Sequence, residues 1–119
     1  MISYSEHLEN TLHPQPHDDH AQPLVLDLFA GCGGLALGFE AQGFRTLGFE
    51  MDADCCATYR HNLLGDCMQI KLDANTTFPK ADVVIGGPPC QPFSVGGNQN
   101  GLRDARDGFP AFISAIHQA

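Results

Sequence analysis

The sequence predicts an α/β fold, the first half of a doubly wound domain built on a mostly parallel sheet. Three observations carry this. The apolar runs "LVLDLFAG" (Leu24–Gly31), "FRTLGFE" (Phe44–Glu50) and "DVVIG" (Asp82–Gly86) have the length of strands buried on both faces. Segments with helical signals, "GGLALGFEAQG" and "DADCCATYRHN", lie between them. Glycines follow the first run directly, where a strand turns into a helix. Strands that alternate with helices pair in parallel through right-handed crossovers.

Taken in order, residues 1–22 are polar, carry Pro14 and Pro16 and have no apolar periodicity, so they read as a mobile arm ahead of a partial domain at 23–119. His13, His17 and His20 would share a face only on a helix that the prolines withhold, so no metal site is expected. The first strand starts at Leu24. The following helix presents Leu35 and Phe39 as its apolar pair and stops at Gly43. Asp52 or Asp54 caps the second helix, and "CMQIKLD" (Cys67–Asp73) is the third strand. The closing "GFPAFISAIHQA" spaces Phe112 and Ile116 as a helix would, with Pro110 near its start. It has no stop signal, which reads as a domain cut off rather than finished, with the outer edge of the fourth strand left open.

A chain of 119 residues, 43% of them hydrophobic, suffices for one core. There is no membrane-length apolar stretch and no signal-peptide layout. Five cysteines, an odd number without a C-x-x-C pair, point to reduced thiols and a cytoplasmic location rather than disulfides or zinc. The net charge of −8 argues against this segment being the main phosphate-binding surface of a nucleic-acid protein.

In "DLFAGCGG", Gly31, Gly33 and Gly34 let backbone N–H groups approach a ligand at a helix N-terminus. Glu50 follows Gly31 by 19 residues, at the end of the second strand, where nucleotide-binding α/β domains place an acid on ribose hydroxyls. The loop is G-x-G-G, which suits a carboxylate as well as a pyrophosphate, and S-adenosylmethionine has both that carboxylate and that ribose. Asp73 is either an acceptor for an adenine amino group or a turn residue. Met51 either covers the adenine face or packs in the ordinary way.

Cys90 in "GGPPCQPFSVGG" lies just beyond the carboxyl end of the fourth strand, where open α/β sheets bind ligands. Pro88, Pro89 and Pro92 stiffen the backbone around it, as a fixed nucleophile requires. An unperturbed thiol with pKa near 8.5 is only a few per cent thiolate at neutral pH, so an electropositive neighbour is needed, and Arg103 and Arg106 are candidates. The linker "SVGGNQNG" reads as a loop able to close over a substrate.

"LDLFAGCGGLALGFE", "GFEMDADCCATY" and "GGPPCQPFSVGG", in this order and spacing, resemble the N-terminal portion of the cytosine-C5 DNA methyltransferase family from Leu24 to Ile116. The resemblance implies the Rossmann-like fold of S-adenosylmethionine-dependent methyltransferases. It also implies a cofactor site lined by Phe29, Gly31, Gly33 and Leu35, with Glu50 on the ribose, Met51 against the adenine, Asp73 and Ala74 at the adenine edge, and Phe109 nearby. By the same likeness Cys90 is the nucleophile, Gly87 and Pro89 shape the methyl-transfer pocket, and Gln91 and Ser94 set the loop against duplex DNA. The family's Glu-Asn-Val block and DNA reader are not in this sequence, so a C-terminal region or a second polypeptide is expected to complete the domain. A transfer-RNA cytosine methyltransferase and a non-catalytic S-adenosylmethionine-binding module are the alternatives.

Overall fold

A computed structural model describes residues 1–16, 22–88 and 101–119, with backbone alone over 101–107. Its elements are α1 (Tyr4–Thr11), β1 (Leu24–Leu28), α2 (Gly34–Glu40), β2 (Arg45–Glu50), α3 (Ala53–Asn62), β3 (Asp66–Gln69), β4 (Val83–Gly86) and α4 (Gly101–Gln118). The sheet has the order β3-β2-β1-β4 and every pairing is parallel. Leu26 sits at the centre, in register with Leu47 on one side and Val84 on the other. Among the described residues β4 pairs only with β1, so it forms one edge of the sheet.

Strand alternation sends side chains to two different cores. Leu26, Leu28 and Phe49 pack with Leu72, Phe78, Ala111 and Ala115 against α4, and the rings of Phe49 and Phe78 meet edge to face at 5.2 Å. Burial of each large side chain there contributes about 1.5–3 kcal/mol. The opposite core joins Ala36 of α2, Cys56, Tyr59 and Leu63 of α3 and its following turn, and Cys67 of β3. The small Ala111 and Ala115 let α4 lie close to the sheet, and Gln118 ties its end to the 76–78 segment through Thr76 O and Phe78 N–H.

Three local readings are corrected, for α2, β3 and α4. The buried face of α2 is Ala36 and Glu40, whereas Leu35 is exposed, because the core packed on this helix is closed by a carboxylate network rather than by a leucine stripe. β3 ends at Gln69, short of Asp73, whose Oδ1 accepts from Asn75 N–H and holds the chain in a turn. α4 starts at Gly101, which places Pro110 inside it, because the preceding "LRDAR" favours helix. In the arm, "SYSE" supplies a capping box: Glu6 N–H donates to Ser3 Oγ, Ser3 N–H donates to Glu6 Oε2, and α1 forms without burying a residue.

Candidate functional site

The site grows from the carboxyl ends of β1 and β2. Past Leu28 the backbone turns sharply: Phe29 has φ 56°, Gly31 58° and Gly33 96°. For a bulky residue such as Phe29 the left-handed region is strained, at a cost on the order of 1–3 kcal/mol, and such strain concentrates where a loop is held for a ligand. At Gly33 glycine is required twice over. Its φ is left-handed, and a Cβ would meet Leu63 Cδ1 at 2.5 Å and Tyr59 Cδ2 at 2.8 Å, so the loop can lie on α3 only without a side chain.

Glu50 holds this loop. Its Oε1 accepts from Gly31 N–H at 3.0 Å and its Oε2 from Asp52 N–H at 2.8 Å, while Ala30 N–H bonds Phe49 O. Each carboxylate oxygen retains a lone pair for a second donor, such as a ribose hydroxyl. Asp52 then caps α3, its Oδ1 accepting from Asp54 and Cys55 N–H groups. A single chain of carboxylates thus links loop, strand end and helix start.

A second acid was not singled out from the sequence. Asp27, inside β1, is 1% exposed, and its Oδ2 has no hydrogen-bond partner among the described residues. Burial, and secondarily the charge of Glu50, pushes its carboxyl up to about 7. The available signal was an aspartate interrupting the apolar run "LVLDL", where a strand buried on both faces has no solvent to offer it.

Glu50, Gly31, Gly33 and Phe29 are therefore brought together at the carboxyl ends of β1 and β2. Leu35 and Met51 are exposed near them on α2 and just after β2. Asp73 and Ala74 are exposed in the turn after β3, where Asp73 already bonds Asn75 and Thr76. Gly87 is exposed beyond β4, and Phe109 lies half-exposed on α4. Pro89, Cys90, Gln91 and Ser94 fall outside the described residues, as does most of the 94–101 linker, and the side chains of Arg103 and Arg106 are likewise not described.

A parallel sheet with helices on both faces and an acid-anchored glycine loop at the end of its first strand is the Rossmann-like fold of S-adenosylmethionine-dependent methyltransferases. The same fold is seen in a solved structure described as "Conversion of a Disulfide Bond into a Thioacetal Group during Echinomycin Biosynthesis" (TM-score 0.52, 21% identity, covering 96% of this chain and 44% of that one). Residues 24–118 match the C-5 cytosine-specific DNA methylase family, and the chain belongs to that family. It is 54% identical over 116 residues to the Type II methyltransferase M.AplI of Arthrospira platensis, covering 97% of this chain and 33% of the relative. It is 42% identical over 94 residues to the Type II methyltransferase M.AquIA of Picosynechococcus, covering 69% of this chain and 38% of the relative. The chain thus spans about a third of the length of these relatives. Among the described residues no helix is long and apolar enough to cross a membrane.

Proposed function

We propose that this chain is the cofactor-binding and nucleophile-bearing part of a DNA (cytosine-5)-methyltransferase of a restriction-modification system, acting in the cytoplasm on duplex DNA with S-adenosylmethionine. The carrying observation is the pairing of Glu50, which grips the glycine loop, with Asp27, whose buried oxygen lacks a partner among the described residues. This pair fits the proposed cofactor. Asp27 offers an acceptor to an ammonium group, Glu50 offers acceptors to ribose hydroxyls, and the loop leaves room for a carboxylate beside its N–H groups. Met51, Leu35, Asp73, Ala74, Gly87 and Phe109 would complete the adenine and methyl-transfer walls. When bound, S-adenosylmethionine supplies an electrophilic methyl group.

In this reading Cys90 supplies the other half of the chemistry. Cytosine C5 is a poor nucleophile within the aromatic ring. Addition of the Cys90 thiolate at C6 turns the ring into an enamine whose electron density lies at C5. Once C5 is substituted, loss of its proton expels the thiolate and restores the ring. Because C6 is shielded within the base stack, the nucleotide must first be extruded, at a cost of a few kcal/mol. Pro89 shapes the pocket, and Gln91 and Ser94 orient the loop on DNA. With a net charge of −8, the chain leaves most phosphate binding to the further length that its relatives carry, whether on the same polypeptide or on a second one. That remainder has a ready attachment in the edge of β4.

The test is a duplex with 5-fluorocytosine at the target, presented to the complete enzyme with cofactor. Fluorine cannot leave as a proton does, so a denaturant-resistant adduct should accumulate. Cys90→Ala should abolish it while cofactor binding persists. An adduct that survives this substitution, or that forms on transfer RNA instead of DNA, would overturn the assignment.

A further inference from the structure

Among the described residues Tyr59, on α3, is the largest side chain that is fully buried. Its ring lies against two stretches of bare backbone at once. A Cβ at Gly33 of the glycine loop would meet Tyr59 Cδ2 at 2.8 Å and Cε2 at 3.2 Å, and a Cβ at Gly48 of β2 would meet Cε2 at 2.8 Å and Cζ at 2.9 Å. Only glycine at both positions lets an aromatic ring fill the space between loop and strand. The tip of the ring is tethered as well. Tyr59 OH donates to Thr46 Oγ1 at 2.8 Å, and the Thr46 hydroxyl donates to Glu40 Oε2 at 2.5 Å. Burial pushes the phenol above its ordinary value, so the hydroxyl remains a donor.

We propose that Tyr59 is a positioning residue for the cofactor, its ring forming the floor that sets the height of the glycine loop above β2. This rests on the cofactor reading of the loop and deepens it. The loop is then fixed from two directions by two kinds of contact. Glu50 accepts from Gly31 N–H, whereas Tyr59 packs under Gly33, whose N–H bonds Ala30 O at 3.1 Å. A rigid, planar ring holds one height, while an aliphatic side chain of similar bulk fills the same space in several rotamers. Ring shape is what acts on the loop, because the ring carbons face Gly33 while the hydroxyl engages Thr46.

Gly48 offers a way to push the floor from below. The three atoms nearest to a Cβ there belong to Tyr59 and Cys67 and none to the loop, so a methyl group at this position reaches the loop by displacing the ring.

Calorimetry of the complete enzyme with S-adenosylmethionine tests this, together with hydrogen exchange of the Gly33 amide. Tyr59→Leu should weaken cofactor binding about tenfold and speed the exchange about tenfold, while Tyr59→Phe should stay within about twofold of the unaltered enzyme in both. Gly48→Ala should weaken binding about tenfold in the unaltered enzyme and by less than about twofold in the Tyr59→Leu background, where the ring it displaces is gone. Three results would each overturn the proposal: Tyr59→Leu leaving both readouts within about twofold, Tyr59→Phe losing as much as Tyr59→Leu, or equal losses from Gly48→Ala in the two backgrounds. If Tyr59→Leu does not fold by circular dichroism, Gly48→Ala alone decides, and unchanged affinity and exchange in it would overturn the proposal. If the unaltered enzyme fails to bind the cofactor, the methyltransferase reading falls separately, because exchange at Gly33 reports on the floor without it.

Discussion

Two carboxylates on the same side of the sheet are equally buried and have opposite fates. Glu40, at the end of α2, is 0% exposed and fully answered: Leu64 N–H donates to Oε1 at 2.7 Å, Gly65 N–H to Oε2 at 3.0 Å and the Thr46 hydroxyl to Oε2. Asp27, inside β1, is 1% exposed and among the described residues keeps one oxygen without a donor. Burial therefore does not define the role of an acid; the donors around it do. Where the donors come from the protein's own backbone the carboxylate is a staple, here joining α2 to the turn between α3 and β3. Where a donor is lacking, the fold bears a cost that a cationic ligand can remove.

Glu40→Ala should be the most damaging change, because it strips partners from two buried N–H groups and a hydroxyl together. The expected loss is about 3–5 kcal/mol by urea unfolding. A loss under about 1 kcal/mol would show that water replaces the staple.

Asp27→Asn should act in the opposite direction. Its carboxyl is raised from 3.8 to about 7, so the folded state holds a proton that the unfolded chain releases at lower pH. Stability attributable to this group is therefore greatest below about pH 4, falls as pH rises toward 7, and is flat above that. Asp27→Asn should match wild type near pH 4 and be more stable by about 2–4 kcal/mol at pH 8, while losing affinity for S-adenosylmethionine. Equal stability at both pH values would remove the contrast with Glu40.

Smaller effects bound the comparison. Tyr59 OH donates to Thr46 Oγ1 at 2.8 Å, behind the Thr46–Glu40 bond. Tyr59→Phe should cost about 1 kcal/mol and leave cofactor affinity unchanged. Deletion of residues 1–12 removes α1, which buries nothing, and should shift unfolding by less than about 0.5 kcal/mol. A larger loss would show that the arm braces Glu40, whose carbonyl accepts from Gln15 N–H.

Strand-forming runs, the glycine loop and the 19-residue step to Glu50 were legible in the sequence because each is a local pattern with a local cause. The two buried acids were not singled out, because the carboxylate at the end of "LALGFE" acquires its meaning from N–H donors 24 and 25 residues away, and the one inside "LVLDL" from a donor that is missing among the described residues. The extent of α4 was obscured by Pro110, and the end of β3 at Gln69 by the apolar alternation that runs on past it toward the Asp73 turn. The capping box at Ser3 and Glu6 was readable and outweighed by the prolines that follow it. The proposed nucleophile, Cys90, rests on its motif alone, since its residues lie outside the described structure.

The position of β1 at the centre of the sheet also dictates an order of assembly. Its pairing with β2 closes over a single short helix, but its pairing with β4 joins Val25 to Val83, after two crossovers and a long turn. Closure entropy and contact separation favour the near pairing first. As the chain emerges from the ribosome, the β1-α2-β2-α3-β3 segment can collapse on one face. Meanwhile β1 holds an unpaired edge, and Leu26 and Leu28 await the core that α4 will cover. The interval between synthesis of residue 28 and residue 86 is thus the period in which the nascent chain is most exposed to wrong strand partners, and the period in which a holdase would have most to protect.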